Sequence, residues 1–203
     1  MADYTILADV SSFIAKTLRT NMYPEPIPSP NNIEIASPSD TDGDYVLGIY
    51  LYDIREEPTV SQPAFVQTDM KHLTKPPVIY GLYYMIFIND FSQLGLKAPD
   101  IQKIIGKAAQ VINDNNSLLS GELQPWSNAK EPPIILSPAN LEFEEKMRVW
   151  QSINKPYQLS LFYKASPVFL SSEVVMDASP VLKADFGVQR IDDRMNKNPR
   201  KRT

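Results

Sequence analysis

Residues 4–22 constrain this chain more than any other stretch. Read at 3.6 residues per turn, Ile6, Leu7, Val10, Phe13, Ile14 and Leu18 recur at steps of three and four and share one stripe. Such a stripe is the inner face of one long amphipathic helix, with Asp3 placed as its N-cap and Asn21 as its stop before the Pro-rich run 24–30. A helix that is apolar on one side has to lie on another layer.

The remaining segments supply that layer. Residues 33–37 alternate as a short strand, and Ser39-Asp40-Thr41-Asp42-Gly43-Asp44 reads as the turn after it. Residues 45–54 and 78–89 are long strands with aliphatics and tyrosines on both faces, which predicts cover on both sides. Between them, residues 55–77 show no period and contain Pro58, Pro63, Pro76 and Pro77, so a long connection is expected there. A helix is predicted from Pro99-Asp100 to Asp114, with Ile101, Ile104, Ile105, Ala108, Ala109 and Ile112 inward. Residues 134–137 are a short strand, and 140–153 a helix presenting Phe143, Met147 and Trp150 on one face. Residues 157–164 alternate most cleanly and predict a strand with one wetter face; 168–176 and 181–190 are weaker strands, expected at an edge. Strands and helices in this irregular order predict an α+β fold, a mainly antiparallel sheet flanked by two or three helices. The expected division is 1–180 as the folded domain and 181–203 as a C-terminal strand and basic tail.

With 203 residues and a hydrophobic fraction of 43%, the chain suits one domain with a substantial core. Apolar runs stay short of the roughly 18–20 residues that span a bilayer, so direct membrane insertion is not expected. No basic, apolar leader precedes the first helix, which predicts assembly in the cytoplasm. Of the net charge of −4, Arg194, Lys197, Arg200, Lys201 and Arg202 contribute +5, which leaves residues 1–193 at −9. An acidic body with a short basic tail is not the charge pattern of a nucleic-acid binder. Two readings of the tail stand: a solvated terminus, or an arm that orders on an acidic neighbour.

Catalytic chemistry finds few materials. His72 is the only histidine and sits in the long connection among lysines, where a solvated side chain is expected. One His and no Cys remove ordinary zinc sites, disulfides and thiol nucleophiles. The seven glycines build no phosphate-cradling loop. Asp40, Asp42 and Asp44 alternate as in a calcium loop, but Gly43 precedes the third carboxylate and the twelfth position is Leu51, so a turn is the better reading. A carboxylate-and-magnesium hydrolase at those three residues is the outlying alternative. Glu142, Glu144 and Glu145 suit the start of a helix, and Trp126 and Trp150 suit a core or an interface. No catalytic residue, metal site or cofactor is expected, and the chain is read as no enzyme.

Five pieces in order carry a resemblance. Tyr4-x-Ile-Leu-Ala-Asp-Val-Ser opens a helix; Leu51-Tyr52-Asp53-Ile54-Arg55-Glu56 closes a strand; Leu82-x-Tyr84-x-Ile86 follows. Ile104-Ile105-Gly106-Lys107-Ala108 lies in the next helix, and Val149-Trp150 precedes Tyr157-x-Leu159-Ser160-Leu161-x-Tyr163. Together, over about residues 3–170, they resemble the tail-terminator cap family of phage-tail-like extracellular contractile injection systems, in particular the N-terminal domain of the anti-feeding-prophage type of cap. The resemblance implies a structural protein: a homohexameric ring on the distal end of inner tube and sheath that ends polymerisation and links the two. It implies sheath protein, inner tube protein, further copies of the chain and a second cap or adaptor as partners, within a particle that is released or held at a membrane or cell. Tyr50, Tyr52, Tyr80, Tyr83 and Tyr84 would supply aromatic area for core or interface. Arg55, Glu56, Phe65 and Lys71 are the candidate contacts around the 55–77 connection, and Arg190, Arg194, Lys197, Arg200, Lys201 and Arg202 those of the tail. A general interaction adaptor or assembly scaffold is the alternative.

Overall fold

The computed structural model describes residues 4–40, 43–57, 65–67, 72–89, 95–118 and 132–177. The first helix, α1, runs Ile6–Met22 and buries Ile6, Val10, Ile14 and Leu18 together with Ser11, Ala15 and Met22; Leu7 and Phe13 flank the stripe half-buried. Thr5 holds the N-cap position, and its hydroxyl donates to Asp9 Oδ2 at 3.0 Å; Asp3 lies outside the described residues. Asp9 in the first turn and Arg19 in the last complement the helix dipole. The helix stops where Tyr23 turns extended ahead of Pro24, a conformation that the residue before proline prefers.

A single 3₁₀ turn, Pro30–Asn32, feeds β1, Ile33–Ile35. The sheet then takes β2 (Leu47–Glu56), β5 (Val78–Ile88), β6 (Ser117–Leu118), β7 (Ile134–Pro138) and β8 (Ser160–Leu170) in the order β1-β2-β5-β8-β7-β6. Only the β1–β2 pairing is parallel; the others are antiparallel, as the α+β expectation requires. A second, three-stranded antiparallel sheet is made by β3 (Val66–Gln67), β4 (His72–Thr74) and β9 (Val175–Asp177), in the order β3-β4-β9.

The two faces of the six-stranded sheet are covered unequally. On one, α1 and α2 (Ala98–Asp114) pack Ile104, Ile105, Ala108, Val111 and Ile112 against Leu47, Ile49, Leu82, Tyr84, Ile86 and Ala165. Ile101 and Ala109, predicted to point inward, are half-buried. On the other face lies α3, Phe143–Ser152, whose only buried residue is Trp150. The predicted stripe of Phe143, Met147 and Trp150 is therefore corrected. Phe143 is 58% exposed and sets its ring edge-on to Tyr157 at 5.0 Å, because this ten-residue helix rests on the sheet by its C-terminal turn.

Further expectations change. Strand β8 begins at Ser160, three residues later than predicted, and continues through Leu170 as a central strand between β5 and β7, so 168–170 is no edge. With cover on both faces, Phe162 and Tyr163 are both buried and the alternation is lost. The 55–77 connection is not structureless: β3 and β4 lie within it. His72 is accordingly half-buried in β4, in register with Asp177, and is no solvated loop residue. The 181–190 strand, the 180/181 boundary and Trp126 lie outside the described residues.

A candidate interface on the open end of the sheet

The face that carries α3 is aromatic at one end and charged at the other. Under α3, Gly48 leaves room for the Phe87 ring, which would overlap any Cβ placed there. Phe87 meets Trp150 edge-on at 6.1 Å and Tyr45 at 6.3 Å, and Trp150 Nε1 donates to Ser160 Oγ at 3.1 Å. Farther along, Tyr52 packs on Phe162 at 5.7 Å and on Tyr83 at 6.2 Å. The Tyr52 hydroxyl oxygen is buried with no hydrogen-bond partner among the described residues, and burial is the first cause pushing its pKa up to about 12.

Past Tyr52 the face turns polar. Arg55 Nε donates to Asp53 Oδ2 at 2.6 Å, and its guanidinium lies 4.6 Å from the Tyr83 ring centre. Lys164 Nζ lies 5.9 Å from the same ring and 2.5 Å from Glu57 Oε1. That contact acts as charge pairing, since Oε1 accepts no well-directed hydrogen bond. Ser166 Oγ donates to Glu57 Oε2 at 2.7 Å. Burial pushes the Glu57 carboxyl up, but Lys164 and Ser166 outweigh it and hold the group below its ordinary value. Glu57 in turn raises Lys164. Arg55 and Lys164 are thus neutralised locally, and the carboxylate beside the Ser166 hydroxyl is already paired with Lys164 and held below its ordinary pKa, which makes it a weak base. Such a surface suits docking more than catalysis.

Of the predicted contact residues, Arg55 and Glu56 close β2 at this end, both exposed, and Phe65 stands half-buried just ahead of β3. Lys71, Arg190, Arg194, Lys197, Arg200, Lys201 and Arg202 lie outside the described residues. Of the five tyrosines, Tyr84 is core and Tyr80 packs half-buried against it, while Tyr50, Tyr52 and Tyr83 belong to the α3 face. The Glu57–Lys164–Ser166 group escaped the sequence reading because it joins β8 to the residue just past β2, far apart in the chain. The available signal was Gly81, a glycine inside a Tyr-rich strand. No group of three or more His, Cys, Asp or Glu side chains able to hold a metal occurs among the described residues. Asp40 instead accepts from Ser37 N at 2.8 Å within a turn. No helix among the described residues is long and apolar enough to cross a membrane.

This α+β architecture is that of tube-terminating caps. The sheath/tube terminator of the PVC extracellular contractile injection system, in its extended state, is similar with a TM-score of 0.63 and 21% identity, over 95% of this chain and 66% of that one. The tube-terminating cap of the anti-feeding prophage is similar with a TM-score of 0.58 and 20% identity, over 89% of this chain and 61% of that one. This chain therefore spans less than two thirds of each of these solved relatives. No curated protein sequence matches it. The chain belongs to the Pvc16 N-terminal domain family, whose profile matches residues 9–184.

Proposed function

We propose that this protein is a structural cap of a contractile injection system, ending the inner tube and sheath and tying their last rings together. The observation that carries the proposal is the similarity in fold to two such terminators, which takes in 95% and 89% of the chain. The open sheet face adds a physical reason: half-buried aromatics and locally neutralised charges favour a broad protein contact over a small-molecule pocket. The mechanism is mechanical. A ring of identical subunits, six by the family resemblance, would match the end of a helical stack, block further addition and hold tube to sheath while the sheath shortens. Such a cap would be assembled in the cytoplasm, with sheath protein, tube protein and its own copies as partners and a second cap protein beside it. No covalent step is needed.

Removing the protein from a producing cell and imaging the particles tests this. Missing, overlong or ragged-ended tails are expected. Particles of normal number and normal length distribution would overturn it. A protein that stays a monomer by light scattering and binds neither sheath nor tube would point to a general adaptor instead.

A further inference from the structure

Glu57 stands just past β2 and Lys164 sits in β8, yet β5 runs between those strands, so the two side chains meet across a whole strand. They can do so because the β5 residue beneath them is Gly81. A Cβ there would lie 2.8 Å from Glu57 Oε1 and 2.8 Å from Lys164 Cε. The crossing is reinforced on both sides: Ser166 Oγ holds the other carboxylate oxygen, and Glu57 N donates to Ile79 O at 2.8 Å. Past the pair β5 and β8 stay in register to Val78↔Leu170, with Val168 still buried in the helix-covered core, and the chain then runs from the long strands into the small sheet. Glu57 precedes β3, β4 precedes β5, and Leu170 precedes β9. Among the described elements, the β3–β4–β9 sheet makes its substantial contacts within itself. Its edge strands leave Val66 43%, Val175 55% and Met176 48% exposed. With so little packing of its own against a helix, this sheet depends on its base for its orientation.

We propose that the Glu57–Lys164 bridge over Gly81 is a latch that fixes the projecting β3–β4–β9 sheet against the body. The pair sits where β2 ends, and it ties that exit across the central β5 to β8. Its charges are partly withdrawn from water, with side-chain exposures of 33% for Lys164 and 28% for Glu57, so the pairing is screened less than one on the surface. Gly81 carries the arrangement by leaving the space in which the two ends meet.

Hydrogen–deuterium exchange on the free protein tests the latch and is independent of the capping function. Lys164→Met removes the charge and keeps the stem. Gly81→Ala displaces only the far ends of two flexible side chains, so it parts the pair and spares the strand. Both should speed exchange of the amides in 66–67, 72–74 and 175–177 by about fivefold while leaving α1 and α2 unchanged. The double exchange Glu57→Lys with Lys164→Glu restores an opposite-charge pair and should bring those amides back to within about twofold of the starting protein. Unchanged exchange in the small sheet would overturn the proposal. So would a double exchange no slower than Lys164→Met, or acceleration spread evenly through α1 and α2, which would make the pair part of the general fold.

Discussion

Trp150 anchors α3 almost alone. It is 1% exposed, meets Phe87 edge-on and donates to Ser160 Oγ, while its neighbours on the helix remain half-buried or exposed. Trp150→Ala should therefore cost about 3–5 kcal/mol in urea unfolding, in line with other large aromatic truncations. Trp150→Phe should cost far less, since Ser160 Oγ still donates to Gln158 O at 3.0 Å. A loss below about 1 kcal/mol for the alanine variant would show that α3 is not held by this side chain. Across the sheet, Tyr84 is fully buried and shares a 2.9 Å hydrogen bond with Ser11, whose own hydroxyl donates to Leu7 O. Burial, only partly offset by Ser11, pushes the Tyr84 hydroxyl up to about 12 from 10.0. The folded state thus keeps a proton that the unfolded chain releases near pH 10. The linked stability is whole below pH 10 and drains away as pH rises towards 12. Tyr84→Phe should lose about 1 kcal/mol near neutrality with the hydrogen bond, and should fall less steeply than the parent between pH 10 and 12. Equal slopes in paired urea titrations at pH 9 and pH 11 would refute the assignment.

At the scale of elements, α1 and α2 were legible by their helical period, and the long strands by apolar, Tyr-rich runs of strand length bounded by turn residues. Ile6, Val10, Ile14 and Leu18 cannot share a buried stripe except on a helix, and Leu82, Tyr84, Ile86 and Ile88 line one face of β5. Legibility failed where tertiary pairing, not local pattern, makes the element. Val66–Gln67 and His72–Thr74 are too short to show a period, and they become strands by pairing with each other and, in β4, with β9. Likewise Phe143 matched a helical stripe but ended up on the exposed turn of α3, because the sequence records spacing and not where a short helix lands. The candidate interface was half visible. Arg55 and Glu56 were found at the end of a readable strand, whereas Glu57, Tyr83, Lys164 and Ser166 meet only after three strands pair. Deleting residues 59–74 tests the independence of the small sheet. It removes β3 and β4, leaves every strand of the six-stranded sheet in place and strips β9 of its partner. The thermal midpoint should stay within a few degrees, amide protection at 175–177 should vanish, and ring formation should weaken. Unfolding of the whole chain would show that the connection is part of the core.

The whole molecule is asymmetric in cover and in charge, and the two asymmetries suggest separate roles. Among the described elements two helices shield one face of the sheet and a short third helix only part of the other, and the end with Tyr52, Tyr83 and Arg55 is the surface that the proposed function would use for a fixed contact. In charge, residues 1–193 carry −9 and the last ten residues +5. Under the proposed function, subunits of one acidic kind would repel as they gather, and a cationic terminus on each would relieve the repulsion and draw the subunit towards an acidic surface of sheath or neighbour. Exposed charges of this sort chiefly speed encounter, and salt screens them over a Debye length of about 8 Å at 0.15 M. Ending the chain after Arg190 removes Arg194, Lys197, Arg200, Lys201 and Arg202 along with the acids Asp192 and Asp193, and leaves every described element intact. The shortened protein should melt at the same temperature and cap sheathed tubes more slowly at low salt. The difference should shrink as salt passes about 0.15 M, because the steering it removes is already screened there. Stopped-flow scattering of tube and sheath growth, run with both forms over a salt series, makes the comparison. Capping equally fast and equally indifferent to salt with and without the tail would leave the five cations a solvated terminus with no part in assembly.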